Sequence, residues 1–402
     1  MPFSCLLRPV CAFILIGEAW SSPALAQFTT WESRTLPPVT EGTITLAGDL
    51  IDNVLVPRTG DSITVAPGLP PQNLGTFDIV IVPGVNLAAN AAALAAFNRA
   101  AQAWEARISD PITITINADM AALGAGIIGS ASSVTLQAGY SSIRNAVVAD
   151  AVGELDDAIT ASLPTAAQFV GTVPSGSALS GLVLGTKANL KALGFTGLDD
   201  SFGVSDAAIT FSTAFSFDFD NSNGVGAGLT DFETVAAHEI GHALGFFSIV
   251  DSVNGGATSI SPSTLDLYRF ANNEADDPST AGEFTTFARN FIPGVDAITD
   301  EATALELRMS TGLSNVNFSG TDGRQGSHWK ADDLTGNFIG LMDPTLAAGQ
   351  FYGPQESDFR ALDLIGYDLV MVPEISSTAF GVFALLAAIA LPRRRSARLL
   401  SA

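Results

Sequence analysis

The sequence predicts an α+β fold, in which several helices pack with a β-sheet. Residues 77–82 are rich in β-branched side chains and stop at Pro83 and Gly84, which indicates a buried strand. Residues 88–108 are alanine-rich and carry large apolar side chains three and four positions apart, which predicts a long amphipathic helix. Residues 111–117 alternate isoleucine with threonine, the pattern of a half-buried strand. This order of strands and helices fits an α+β or an α/β sheet, and we predict α+β.

Four further segments extend this prediction. Apolar positions return to helical spacing over residues 142–163, and residues 207–220 have the apolar alternation of a strand. Residues 357–365 have the spacing of an amphipathic helix, whose expected role is packing. Residues 36–76 are rich in proline, glycine and threonine, which indicates short strands or a leader segment. Since we find no internal repeat or long low-complexity linker, we expect one continuous globular unit over residues 27–371.

Composition and charge exclude several classes of protein. The chain has 402 residues, 47% hydrophobic and 15% charged, and this balance is incompatible with disorder throughout the chain. Its formal net charge of −23 repels phosphate backbones, which argues against binding to nucleic acid. The two cysteines are Cys5 and Cys11. A chain without that first segment has no thiol, which excludes disulfides, cysteine nucleophiles and thiolate metal sites.

Residues 1–26 have the pattern of a secretory signal peptide. Arg8 supplies a positive charge, residues 10–17 supply a short apolar stretch, and Ala-Leu-Ala at residues 24–26 is a small-residue cleavage site. The alternative is a buried N-terminal strand or helix. We therefore predict export to the cell envelope or the extracellular space, with residues 27–76 as an N-terminal leader or a pro-segment.

Residues 372–402 predict a sorting signal. The apolar run over residues 378–391 is shorter than the roughly 20 residues of a typical spanning helix, and four arginines follow it. Such a cluster holds its end of a membrane segment in the cytoplasm. The order Val-Pro-Glu, short apolar helix, arginine cluster resembles the PEP-CTERM tail of Gram-negative-type bacteria, with Ile375 where that family usually has proline. The resemblance implies a short transmembrane helix inserted transiently in the inner membrane and cut by an exosortase; a plain C-terminal anchor is the alternative.

The motif His-Glu-Ile-Gly-His at residues 238–242 predicts a metal-dependent hydrolase. On a helix, residues four apart share one face, so His238 and His242 can point at one ion. Glu239 projects beside them and can take a proton from water that zinc has made more acidic. The alternative is a pair of surface histidines on an ordinary helix.

The helix that carries this motif has predictable ends. Thr230 and Glu233 have the spacing of a capping box, which marks a helix start. Gly245 lets the chain turn away in a conformation that other residues resist. We therefore expect the motif near the end of its helix, just before a reversal of the chain.

Catalytic zinc needs a third protein ligand, and the sequence offers two candidates. The chain has three histidines, so His328 is the one imidazole outside the motif. Asp251, nine residues after His242, is the alternative because carboxylates also bind zinc. We predict His328, because imidazole is the commonest zinc ligand.

Several motifs together resemble the leishmanolysin-type metzincins over about residues 207–367. They are the His-Glu-x-x-His motif with its continuation Ala-Leu-Gly-Phe, the Ser-His-Trp around His328, and Leu-Met-Asp-Pro at residues 341–344. Commoner metzincins carry the third histidine at the position of Ser248, which is a poor ligand. In the leishmanolysin type an insertion separates the glycine turn from that histidine.

The resemblance implies a metzincin-like zincin in residues 77–371, with a twisted sheet and the active-site helix in an N-terminal subdomain. A break near residue 245 leads to an irregular C-terminal subdomain. The implied metal ligands for Zn²⁺ are His238, His242 and His328, the implied general base is Glu239, and the implied Met-turn residue under the metal is Met342.

These observations predict a secreted zinc endopeptidase that acts on a protein or peptide. The alternative is a catalytically inactive surface or matrix protein that keeps the fold. A hydrolase with two metals is disfavoured, because further Asp/His pairs are absent from the sequence. Residues 218–224 resemble a Ca²⁺ loop whose glycine comes one place late, and we favour an Asx-rich turn there.

Overall fold

The computed structural model describes residues 42–51, 53–57, 62–65, 76–152, 158–273, 275–299 and 307–370. The predicted signal peptide and sorting tail, with its short apolar helix, lie outside these residues, as do parts of the predicted leader. Within the described residues, no helix has the length and hydrophobicity needed to cross a membrane.

The strands are short after the first half of the chain. In chain order they are β1 Gly42–Ile51, β2 Val54–Pro57, β3 Ser62–Val65, β4 Asp78–Pro83, β5 Thr113–Ala121, β6 Gly129–Gly139, β7 Gly171–Thr172, β8 Ala178–Leu179, β9 Leu182–Thr186, β10 Ala207–Ser212, β11 Phe217–Asp218, β12 Thr230–Asp231, β13 Ser259–Ile260, β14 Arg269–Ala271, β15 Arg289–Asn290, β16 Ala297–Thr299 and β17 Leu307–Met309.

Two helices, α2 and α6, are longer than the others. The α-helices are α1 Val85–Ala88, α2 Ala91–Glu105, α3 Tyr140–Asp150, α4 Lys187–Ala192, α5 Leu198–Phe202, α6 Phe232–Leu244, α7 Val250–Asn254, α8 Ala281–Thr286, α9 Asp332–Thr335 and α10 Glu356–Asp363. After α6, the described chain has only short helices and short strands.

One mixed sheet organises the first half of the described chain. Its strands lie in the order β2-β1-β6-β10-β5-β4, with β3 beside β1 and β9 beside β6. Strands β4, β5 and β10 are parallel, whereas β6 is antiparallel to both β10 and β1. The described residues therefore form a mixed α+β structure, as the sequence predicts.

The predicted strands and the first predicted helix follow from local pattern. In β5, Ile114 and Ile116 are buried while Thr113 is exposed, which agrees with the predicted alternation. The helix expected over residues 88–108 is divided, because the Asn90 side chain accepts a hydrogen bond from the Ala93 amide and starts α2 anew. The large apolar side chains of α2 still face the core.

Two predicted elements differ from the structure. The helix expected over residues 142–163 is α3 followed by a separate 3₁₀ turn at Ala158–Ser162. The strand expected over residues 207–220 ends at Ser212, whose hydroxyl accepts a hydrogen bond from the Ala214 amide as the chain turns. The chain returns to a strand conformation only over the two residues of β11.

Helix α6 lies in the middle of the largest core cluster. It packs against α2, β6 and β10. Trp104 of α2 donates its indole N–H to the Ala237 carbonyl at 3.0 Å, which ties the two helices together. On another side, Met342 and Leu362 from the last part of the chain belong to the same cluster. The motif helix is therefore held by both halves of the described chain.

Candidate metal centre

Helix α6 begins one residue later than the sequence predicts. The expected capping box of Thr230 and Glu233 is wrong, because Thr230 and Asp231 pair as β12 with β11. The Asp231 carboxylate instead accepts hydrogen bonds from the Thr234 amide at 2.8 Å and the Thr234 hydroxyl at 2.6 Å. Glu233 forms an ion pair with Arg99 at 2.7 Å. Aspartate is a good N-cap, so the helix starts with a negative charge at its positive end.

Three imidazoles converge at one point. His238 and His242 lie one turn apart on α6, and His328 comes from the segment between β17 and α9. The Nε2 atoms of the three rings are 3.2 Å apart in every pair. Within the described residues, they form the one group of His, Cys, Asp or Glu side chains that can hold a metal ion. The three sequence-predicted ligands are thus brought together.

The second ring nitrogen of each histidine faces a backbone carbonyl. His238 Nδ1 lies 2.8 Å from the Leu341 oxygen, and His242 Nδ1 lies 2.7 Å from the Phe246 oxygen. His328 Nδ1 has a longer contact of 3.3 Å with the Gln325 oxygen. A carbonyl only accepts, so these contacts assign the proton to Nδ1 and leave a lone pair on Nε2. Three acceptors that face one another at 3.2 Å repel unless a cation lies among them.

Burial keeps these rings neutral. It lowers the pKa of His238 to about 4, and with the neighbouring His238 it lowers the pKa of His242 to about 3. The pKa of His328 is also well below its usual value, first from burial and then from the other two histidines. Neutral imidazole is the form that binds metals. No proton has to be displaced from these rings when a metal ion binds at neutral pH.

The chain reverses directly after α6. Gly245 has a φ of 126°, and a Cβ there would lie 3.0 Å from Ile365 Cδ1. Ser248, at the position where commoner metzincins have a histidine, donates its hydroxyl to Asp266 at 2.6 Å. Its side chain is therefore engaged by Asp266.

Asp251, the alternative third ligand, lies elsewhere. Its carboxylate accepts hydrogen bonds from the Gly326 amide at 2.6 Å and the Ser327 amide at 2.9 Å, and also from the Ser327 hydroxyl. Burial raises its pKa to about 7, against the lowering effect of these hydrogen bonds. Asp251 is not in the group of ligand atoms that converge. The geometry favours His328 over Asp251.

The segment around Met342 forms the floor of the site. Met342 is fully buried, and a Cβ on Gly241 would lie 2.4 Å from its sulfur. The preceding residue, Leu341, supplies the carbonyl that orients His238. Met342 thus packs directly on the backbone of the motif at Gly241, and its sulfur contributes contact area there.

Sequence reasoning missed Asp358, which holds this floor in place. Its buried carboxylate accepts four hydrogen bonds, from Leu341 N at 2.6 Å, Met342 N at 3.1 Å, Trp329 Nε1 at 2.8 Å and Gln355 N at 2.7 Å. The predicted helix over residues 357–365, here α10, therefore does more than pack. The sequence signal that could have identified Asp358 is an acidic residue in the first turn of a predicted helix, next to large apolar residues.

Glu239 faces the same cleft as the three histidines. The cleft has a volume of about 500 Å³ and is bounded by Glu239, the imidazoles and a mainly apolar wall that includes Val235 and Leu346. Glu239 is buried, with 6% of its surface exposed. Strand β6 passes so close that a Cβ on Gly129 would lie 2.7 Å from Glu239 Oε1. The cleft therefore brings together a carboxylate, three ring nitrogens that can bind a metal ion, and a cavity large enough for a side chain.

The acidic loop at residues 218–224 has the hydrogen bonds of an Asx-rich turn. Asp218 accepts from the amides of Gly226 at 2.8 Å and Asp220 at 3.0 Å, and Asp220 accepts from the Ser222 amide at 3.2 Å. These carboxylates do not converge on a metal position in the described part of the chain. The turn is thus explained by its own backbone contacts.

Comparison of the chain with protein-family models, curated proteins and solved structures found no match. The chemistry of the centre must therefore be derived from its own residues. Those residues supply three neutral nitrogen ligands oriented by the backbone, with one buried carboxylate beside them.

Proposed function

We propose that this protein is a secreted zinc-dependent endopeptidase of the metzincin clan, similar to the leishmanolysin type. One observation carries the proposal: three Nε2 atoms lie 3.2 Å from one another in a cleft that also contains Glu239. This combination supplies a metal site, a base and room for a substrate.

The donor set fits zinc. Zinc–nitrogen bonds of about 2.0–2.1 Å at tetrahedral angles separate the nitrogen atoms by about 3.3–3.4 Å, which agrees with the observed 3.2 Å. Calcium and magnesium prefer oxygen ligands, which are not part of this group. Three protein ligands with a position open to a cleft are typical of catalytic zinc, whereas structural zinc has four.

His238, His242 and His328 would hold the zinc ion, which when bound would supply a Lewis acid for a scissile carbonyl and lower the pKa of water towards neutrality. Glu239, one residue after the first ligand, accepts the proton of the attacking water as the carbon–oxygen bond forms. It then delivers that proton to the amide nitrogen as the carbon–nitrogen bond breaks. The carbonyl contacts of Leu341 and Phe246 keep two of the rings in the ligating tautomer throughout.

The substitution Glu239→Gln tests this role. The amide cannot accept the proton, so we expect zinc to remain stoichiometric while peptide hydrolysis falls by about 10²–10⁴-fold. Glu233→Gln is the matched control, because Glu233 lies on the same helix but pairs with Arg99. The measurements are metal content and hydrolysis of casein and of a quenched fluorescent peptide.

The same experiment separates the two predicted functions. Unchanged hydrolysis by a zinc-loaded Glu239→Gln protein contradicts the mechanism. A wild-type protein that binds zinc stoichiometrically but hydrolyses neither casein nor peptide supports the alternative, an inactive surface or matrix protein.

Export and sorting form a second part of the proposal. The signal-like residues 1–26 and the PEP-CTERM-like residues 372–402 support secretion, with the tail removed by an exosortase after transient insertion in the inner membrane. Intact mass spectrometry of extracellular material should give a chain that begins near Gln27 and ends near Val372. Extracellular protein that still carries residues 391–398 contradicts sorting by cleavage.

A further inference from the structure

His328 is the one ligand of the centre that no helix holds. His238 and His242 take their positions from α6, whereas His328 lies in a segment without helix between β17 and α9. Its orienting contact with the Gln325 oxygen, at 3.3 Å, is also the longest of the three. Something other than the ring's own hydrogen bond must therefore fix the backbone that carries it.

We propose that Asp251 is the positioning residue that fixes His328 in the metal site, an inference that rests on the proposed function. One carboxylate oxygen accepts from the Gly326 amide, and the other accepts from the amide and the hydroxyl of Ser327. These are the two residues directly before His328. A single buried carboxylate thus holds two successive peptide groups of the ligand segment.

The close approach of the two segments requires the residue types found there. A Cβ on Gly326 would lie 2.8 Å from Val250 Cγ1 and 3.5 Å from Asp251 Oδ1. Glycine therefore lets the backbone at residue 326 reach the carboxylate. Ser327 adds a second link, because its hydroxyl oxygen accepts from the Ser248 amide at 2.9 Å while its proton goes to Asp251.

Arg269 and Asp266 complete the buried cluster around this carboxylate. Arg269 is 1% exposed and donates to the Gly326 oxygen at 3.4 Å and the Ser310 oxygen at 2.8 Å. Asp266 accepts from the Ser248 hydroxyl at 2.6 Å and the Ile249 amide at 2.8 Å, so it holds the turn after α6 but not the His328 segment. The two aspartates therefore have separable tasks within one charge cluster.

Substituting Asp251 leaves buried donors unsatisfied at the ligand segment. Asparagine keeps one acceptor oxygen, so Asp251→Asn can satisfy only part of the three donors at Gly326 and Ser327. We expect the affinity for zinc to fall by about 10- to 100-fold, the usual effect of losing an outer contact to a ligand. Hydrolysis should return when zinc is present in saturating excess, because Asp251 does not touch the reacting atoms.

The test compares Asp251→Asn with Asp266→Asn in the full chain. Asp266 is equally buried, is the same type of residue and belongs to the same cluster. Zinc dissociation constants come from chelator competition, and the visible absorption of the Co²⁺-loaded proteins reports the ligand geometry directly. We expect weaker zinc binding and an altered Co²⁺ spectrum for Asp251→Asn, and wild-type values for the folded fraction of Asp266→Asn.

Two results overturn the inference. In the first, Asp251→Asn keeps the wild-type zinc affinity and Co²⁺ spectrum. In the second, Asp251→Asn and Asp266→Asn lose zinc affinity equally, which indicates general destabilisation. If Asp251→Asn does not fold, Ser327→Ala removes the hydroxyl that donates to Asp251 and accepts from the Ser248 amide. This variant should weaken zinc binding in the same direction, whereas unchanged binding overturns the inference. The comparison does not depend on proteolysis. A wild-type protein that binds zinc but cleaves nothing contradicts the proposed activity alone, and one that binds neither ion contradicts both proposals.

Discussion

Adding one methyl group at Gly129 should inactivate the protein without unfolding it. Gly129 begins β6 and pairs with Phe211 of β10. A Cβ there would lie 2.7 Å from Glu239 Oε1 and 2.9 Å from Val235 Cγ1. Carbon atoms in ordinary contact are about 3.5 Å or more from their neighbours, so Gly129→Ala should displace the carboxylate by about 0.8 Å.

The contact with Oε1 should cost little stability because Oε1 is the far end of a flexible side chain, whereas Val235 Cγ1, at 2.9 Å, belongs to a stiffer β-branched side chain and supplies most of the crowding. Replacing glycine with alanine in a strand also gains about 0.5–1 kcal/mol, since alanine loses less conformational freedom on folding. This gain offsets part of the crowding, so we expect the free energy of unfolding to change by about 1 kcal/mol or less. A displacement of roughly 1 Å at a catalytic group can cost about 10²-fold in rate. Activity should therefore fall by about 10²-fold.

Gly139→Ala is the control for this prediction. Gly139 ends the same strand, and a Cβ there would meet no atom within 4 Å. Both variants should keep stoichiometric zinc and a wild-type thermal transition, while only Gly129→Ala loses peptide hydrolysis. Full activity in a zinc-loaded Gly129→Ala protein would refute the close packing of β6 on Glu239, or the role of Glu239 as base.

Three further predictions concern the rest of the centre. Gly241→Ala places a Cβ 2.4 Å from the Met342 sulfur. The resulting overpacking should lower the free energy of unfolding, measured by denaturant titration, by about 1–3 kcal/mol, and wild-type stability would contradict the described packing. Asp358→Asn leaves some of the four donors to this carboxylate unsatisfied and loosens the Leu341 carbonyl that orients His238. The affinity for zinc, measured by chelator competition, should therefore fall about 10-fold or more. An unchanged affinity would show that Asp358 does not support the site. Because burial lowers the pKa of His238 to about 4, its ring should take up a proton only as the pH falls towards that value, so its NMR signals in the metal-free protein should show no titration from about pH 7 to about pH 5. A titration step near pH 6.5, the ordinary pKa of histidine, contradicts the lowered pKa of that ring.

Local pattern predicted those elements whose side chains alternate clearly between core and solvent. Strand β5 and helix α2 have large apolar residues at the spacing of one face, and both were found within a few residues of the expected bounds. Strand β6 was missed, although it lies between β1 and β10 in the sheet. Its sequence consists mostly of glycine, alanine, serine and threonine, so its pattern carries little hydrophobic contrast.

The sequence by itself determined that His238, Glu239 and His242 share one helical turn, because a four-residue spacing fixes their relative direction on any helix. It also left His328 as the remaining imidazole. Only the tertiary structure decided that His328, 86 positions after His242, reaches the same point as the other two rings. That return depends on buried carboxylates such as Asp251, which bind backbone amides distant in the sequence. A backbone amide has no side-chain signature, so hydrogen bonds of this kind exist only once the chain has folded.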